Sequence, residues 1–300
     1  RDVLVIQNEV IPLEILIVGG AGAMGQWFAR FFVERGEAVY ILDPRPESRS
    51  IAEELGAAVV DRQKLSDADV VLISVPIDVA PSVIKDTAPV LKEGALLMDI
   101  TSIKRSPVDA MRSAIKGRNL EGLSVHPLFG PTTEMMKKQT VIFVPVRSGR
   151  LSHWIEQTFR EAGAHIEYME ADEHDRLMAV VQGLTHFVYI TFGQTLRALG
   201  FDIEGSRRYM SPIYEIMTDF VGRVLHQDPR LYGLIQMNLD LGKIHETFIN
   251  EACRLSEIVK EGDIERFVEE ILASRRHFGD TSRSMAASDR LVNFKVKEDD

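Results

Sequence analysis

Short apolar runs rich in β-branched residues alternate with segments of helical periodicity through the first half of the chain. Ile15-Leu16-Ile17-Val18 reads as a strand buried on both faces, since no polar residue interrupts it and it is too short for a helix. Trp27, Phe28, Phe31 and Phe32 then recur at helical spacing until Gly36, and Val39-Tyr40-Ile41-Leu42 supplies a second strand. Further strands are predicted at Val70 to Ile73, Ala95 to Met98, Gly122 to Val125 and Val141 to Val144. Between them lie helical patterns at 78–90, 105–116 and 152–162. This alternation predicts a doubly wound α/β domain over residues 1–168. From Asp172 the strand signals fade, and apolar helical periodicities fill 172–200, 212–226, 230–260 and 263–278. A second, all-helical domain over 169–300 is expected, with Lys295 to Asp300 as a frayed charged tail.

The turn after the first strand carries the first candidate chemistry. Gly20, Ala21, Gly22, Ala23, Met24 and Gly25 form a G-x-G-x-x-G turn between strand and helix. In such a unit the first glycine allows the tight turn, the second admits a pyrophosphate to the backbone, and the third lets helix and strand pack closely. The phosphates then meet the helix N-terminus. The first domain is therefore expected to be a Rossmann-type dinucleotide site. Asp43 closes the second strand, where a carboxylate accepts from ribose hydroxyls and repels a 2′-phosphate, so NAD is favoured over NADP. Arg45, two residues on, works partly against that preference, and Asp43-Pro44 also suits a simple turn.

Composition narrows the class. The 300 residues carry 45% hydrophobic side chains, enough for two cores, and a net charge of −10 argues against nucleic acid or an anionic membrane as partner. Cys253 is alone, which leaves no disulfide or cysteine metal framework and fits a reducing cytoplasm. No apolar run is long enough to span a bilayer, and no metal site is expected.

In open parallel sheets ligands gather at the carboxyl ends of the strands. Ser74, Val75 and Pro76 follow one strand and are expected along the nicotinamide ribose; Thr101-Ser102-Ile103-Lys104 follows the next. Ser102 suits either an orienting hydroxyl or the N-cap of a helix near Arg105, and Lys104 either meets an acid or caps that region. His126 stands at the end of a further strand, in Ser124-Val125-His126-Pro127-Leu128-Phe129-Gly130-Pro131, where its near-neutral pKa suits proton transfer. In the helical half, Gln182 and His186 share a face inside an apolar run, either satisfied internally or aimed into a cleft. Arg223 shares a stripe with Ile216 and Phe220, and either pairs with Asp219 or grips an anionic ligand.

Taken together, these motifs resemble those of the prephenate dehydrogenase family, and the likeness extends over nearly the whole chain. It is carried by Gly19 to Gly25, Ile73-Ser74-Val75-Pro76, Thr101-Ser102-Ile103-Lys104, His126 to Pro131, Glu173-His174-Asp175, Ser211-Pro212-Ile213-Tyr214 and Val221-Gly222-Arg223. The resemblance implies that His126 is the catalytic base on the ring hydroxyl of prephenate, oriented by Ser102. It further implies that Arg223 binds a substrate carboxylate, with His186 and Gln182 at the side-chain end. A homodimer through the helical, dimerisation domain is implied too. Arogenate in place of prephenate, and a regulatory protein that senses NAD without turnover, are the competing readings. Relatives also occur fused to chorismate mutase; the chain opens on Arg1 and not on methionine, which leaves room for such a fusion outside this segment, although nothing in residues 1–13 shows it.

Overall fold

The computed structural model describes residues 12–298. The first half runs β1 (Glu14–Val18), α1 (Ala23–Val33), β2 (Ala38–Leu42), α2 (Ser48–Leu55), β3 (Ala58–Val59) and β4 (Val70–Ile73). It continues through α3 (Ala80–Thr87), β5 (Leu96–Asp99), α4 (Arg105–Ala114), β6 (Glu121–Pro127), β7 (Thr140–Arg147), α5 (Arg150–Glu161) and β8 (His165–Tyr168). One eight-stranded sheet results, in the order β3-β2-β1-β4-β5-β6-β7-β8. Every pairing is parallel except β6 with β7. The order reverses between β1 and β4, which is where ligands collect in such sheets.

The continuous apolar runs are explained by cover on both faces. The side chains of β4 and β5 are fully buried. One face packs on the aromatic stripe of α1 and on Leu151, Ile155 and Phe159 of α5; the other packs on Ile84 of α3 and Ala110 and Met111 of α4. Phe28, Phe32 and Phe159 are 0% exposed, and burial of each contributes about 1.5–3 kcal/mol.

Helices make up the rest: α6 (Ala171–Met178), a π-helical turn at Ala179–Leu184, α7 (Thr185–Ala198), α8 (Ile203–Ser206) and α9 (Pro212–His226). Then come α10 (Pro229–Asn238), α11 (Gly242–Glu261), α12 (Ile264–Phe278) and α13 (Thr281–Glu298). The chain divides into two compact units between Leu177 and Met178. That point lies past residue 168 because His174 and Asp175 are bonded to residues of the first unit.

Two expectations need correction. The segment 230–260 is two helices, because the backbone turns extended at Leu239, and Leu239 and Leu241 are buried. Lys295 is not in a frayed tail: it lies in α13, bridged to Glu215 at 3.6 Å and Asp219 at 3.2 Å on α9. The N-terminal stretch considered for a fusion falls almost wholly outside the described residues.

Candidate active site

The glycine turn has no room for side chains. Gly19 takes the left-handed backbone conformation, with φ 81°, and a Cβ there would lie 2.3 Å from the carbonyl oxygen of Ser74. At Gly25 a Cβ would lie 2.5 Å from the Gly19 carbonyl oxygen, which is the close helix-to-strand packing expected of the third glycine. Gly22 is the N-cap of α1 and brings no capping side chain. The cradle therefore fits a dinucleotide pyrophosphate on backbone amides at a helix N-terminus.

Asp43 closes the cradle. Its carboxylate accepts from the Ala21 amide at 3.1 Å and is gripped by Arg45, with Nε at 2.9 Å and Nη2 at 2.7 Å. Burial pushes this carboxyl upward, but the Arg45 and amide hydrogen bonds outweigh it and hold it below the usual range.

Strand register sets the rest of the first unit's site. Leu42, Val18, Ile73, Asp99 and Ser124 form one row across β2, β1, β4, β5 and β6. Asp43, Gly19, Ser74 and His126 consequently emerge at the same edge of the sheet. Behind them, Lys104 and Asp99 form a fully buried ion pair at 2.9 Å. Lys104 Nζ also donates to Ser124 Oγ at 2.8 Å and to the Val125 carbonyl at 2.8 Å, while Ser124 donates a very short bond to Asp99. Burial lowers the lysine's proton affinity, and Asp99 opposes that effect.

His126 is 3% exposed. Its Nδ1 lies 2.9 Å from His174 Nε2, and His174 Nδ1 lies 2.7 Å from Asp175 Oδ1. Asp175 in turn accepts from the backbone amides of Lys104 at 2.8 Å and Arg105 at 3.0 Å, so it caps α4 from outside the helix. Burial, then His174, then Lys104 hold His126 well below the ordinary histidine pKa, so the ring is neutral at pH 7.

The second unit carries its own polar cluster. His186 meets the ring of Tyr232 edge-on, with centroids 4.6 Å apart, and burial lowers its pKa to about 4. Gln182 Oε1 and His186 Nδ1 are buried without a hydrogen-bond partner among the described residues. Gln182 lies in the π-helical turn, a distortion often found at functional sites. The charge of Arg223 reaches Tyr232, opposing the burial that raises the tyrosine's pKa. Asp219, on the same helix, accepts from Lys295 Nζ at 3.2 Å.

Within the first unit, the glycine turn, Asp43, Ser74 and His126 all lie at the carboxyl ends of their strands. Ser102 is half-buried on the bend before α4; it is not that helix's N-cap, and the group on His126 Nδ1 is His174. Sequence reasoning gave no role to His174, Asp175 or Tyr232. The first two stood in the sequence only within Glu173-His174-Asp175, where nothing local marks them as inward-facing.

Residues 28–168 match the nucleotide-binding domain of prephenate dehydrogenase, and residues 170–273 match its dimerization domain. A probable arogenate/prephenate dehydrogenase of Methanocaldococcus jannaschii is 40% identical over 291 residues, 93% of this chain and 64% of that protein. The T-protein of Enterobacter agglomerans is 34% identical over 282 residues, 93% of this chain and 71% of that protein. The chain thus spans about two thirds of the length of these relatives. A crystal structure of prephenate dehydrogenase from A. aeolicus, in complex with hydroxyphenyl propionate and NAD+, shares the fold at a TM-score of 0.69 and 23% identity, covering 91% of this chain and 100% of that one. With both domain models matched in order along the sequence, and relatives above 30% identity covered over most of their length, the chain belongs to the prephenate dehydrogenase family.

Proposed function

We propose that the protein catalyses the oxidative decarboxylation of prephenate to 4-hydroxyphenylpyruvate, with NAD as the oxidant. The observation that carries this reading is His126: a buried imidazole, held neutral, at the strand edge that also presents the glycine cradle. Gly20 to Gly25, Asp43 and the Ser74 to Pro76 turn would hold the cofactor. When bound, NAD supplies the acceptor for the hydride leaving the carbon that bears the ring hydroxyl. His126 accepts the proton of that hydroxyl as the oxygen becomes a carbonyl. The ring carboxylate then departs as carbon dioxide, its bonding electrons complete the aromatic ring, and His126 returns the proton to the phenolate oxygen. Arg223 binds a substrate carboxylate, with His186 and Gln182 at the substrate side chain.

One observation favours arogenate as a second substrate. Gln182 Oε1 is a buried acceptor without a donor among the described residues, and neutral His186 adds another unpaired ring nitrogen. Such an environment suits the ammonium group that distinguishes arogenate from prephenate. Assays pairing prephenate and arogenate with NAD and NADP separate these cases. Turnover is expected with prephenate and NAD; reduced nicotinamide formed from no pairing would leave only a nucleotide-sensing role.

The matched dimerization domain and the exposed Tyr209, Ile213, Met237 and Phe278 of the helical unit support a homodimer. Light scattering should give twice the chain mass of 33.7 kDa, and a monomer at micromolar concentration would count against it.

A further inference from the structure

We propose that His174 and Asp175 are positioning residues that fix His126 in the tautomer with its proton on Nδ1, leaving the lone pair on Nε2 for the substrate. The inference rests on the reading of His126 as proton acceptor and supplies the device that reading needs. Neutral histidine carries one ring proton, and a base with that proton on the substrate-facing nitrogen cannot accept another.

Donor and acceptor counting along the chain of contacts leads to this tautomer. Asp175 sits on the first amides of α4, at the positive end of the helix, accepting from Lys104 and Arg105. Burial opposes its ionisation, but these bonds and the one from His174 hold it ionised below the usual carboxylate range. An ionised carboxylate only accepts, so His174 Nδ1 donates across 2.7 Å. Burial also keeps His174 from taking a second proton, with the nearby Lys104 charge adding to that effect and Asp175 and Asp99 opposing it. Its Nε2 is therefore an acceptor, and the group that donates to it across 2.9 Å is His126 Nδ1.

The fold holds this chain of contacts rigidly. Ile142 of β7 pairs with His126 of β6 on one side and with Glu167 of β8 on the other, and α6 begins a few residues after β8. His174 is 0% exposed, so water does not compete for its nitrogens. The serine protease triad follows the same logic: loss of its aspartate charge leaves the geometry intact but selects the wrong histidine tautomer and costs about 10⁴ in kcat.

The test is nitrogen NMR of the full chain labelled at its histidines, with the His126 signal assigned by comparison with His126→Asn. The free wild-type protein should show His126 protonated at Nδ1. In His174→Phe, which offers no acceptor, the proton should move to Nε2 and kcat should fall on the order of a hundredfold with KM little changed. His174→Gln, whose amide oxygen can still accept from Nδ1, should keep the wild-type tautomer and most of kcat. A wild-type His126 protonated at Nε2, or an unchanged tautomer in His174→Phe, overturns the proposal. Because the tautomer is read without substrate, it is independent of whether His126→Asn loses turnover, which tests the parent reading.

Discussion

Replacing Lys104 by methionine removes the charge from the most deeply buried ion pair of the first unit while nearly conserving length. Both side chains of the pair are 0% exposed, and Lys104 Nζ satisfies Asp99, Ser124 and the Val125 carbonyl at once. After Lys104→Met, Asp99 keeps its bonds from the Thr101 amide and the Ser124 hydroxyl but loses its countercharge. Breaking a buried pair in this way costs about 3–5 kcal/mol. Against a typical domain stability of roughly 5–15 kcal/mol, that is a large fraction. The double variant Asp99→Asn/Lys104→Met buries no net charge, and its amide can still accept from Thr101. It should recover about 1–3 kcal/mol of the loss, the coupling expected of contacting residues. Urea unfolding followed by tryptophan fluorescence suits the measurement, since Trp27 and Trp154 both lie in the first unit. A cost below about 1 kcal/mol for Lys104→Met, or a double variant less stable than the single, would refute mutual neutralisation as what holds the pair.

Three further outcomes are expected. Gly25→Ala puts a methyl group 2.5 Å from the Gly19 carbonyl oxygen, so the cradle must open and NAD affinity should fall about tenfold or more by titration calorimetry; wild-type affinity would contradict the packing role. Arg223→Gln should raise KM for prephenate about tenfold to a hundredfold, the loss expected of one charged hydrogen-bonded contact, and an unchanged KM would remove Arg223 from carboxylate binding. His126, His174 and His186 all have folded-state pKa values below that of free histidine, so the unfolded chain takes up protons first on acidification. Their contribution to stability is complete above about pH 6.5 and is lost as pH falls toward the folded values, about 4 for His186. The urea midpoint should therefore drop between pH 7 and pH 5; an unchanged or higher midpoint at pH 5 would contradict the assigned neutral states.

The sheet was legible because buried parallel strands leave an uninterrupted apolar signature, as in Ile15 to Val18 and Val70 to Ile73. The two-residue β3, both of whose side chains are exposed, leaves no such signature. The helical half was legible in type but not in its breaks. Nothing in local periodicity marks the extended turn at Leu239, which follows from where Leu239 and Leu241 are buried, nor the π-helical turn that carries Gln182. His126 and the glycine turn could be found because strand ends in such sheets are chemically predictable. His174 could not, since its importance comes from the order β6-β7-β8, which brings α6 back toward His126 across an antiparallel strand. Likewise Asp175 reads as an ordinary acidic residue within α6, whereas in the fold it caps a different helix, α4.

Everything proposed for the reaction turns on His126 accepting the substrate's hydroxyl proton during NAD-dependent oxidation. Steady-state formation of reduced nicotinamide from prephenate and NAD, by the wild-type chain and by His126→Asn, tests this step without intermediaries. Turnover is expected from the wild type, with a fall in kcat of roughly a hundredfold or more in the variant and KM nearly unchanged. Equal rates in the two proteins would contradict a proton-accepting role for His126.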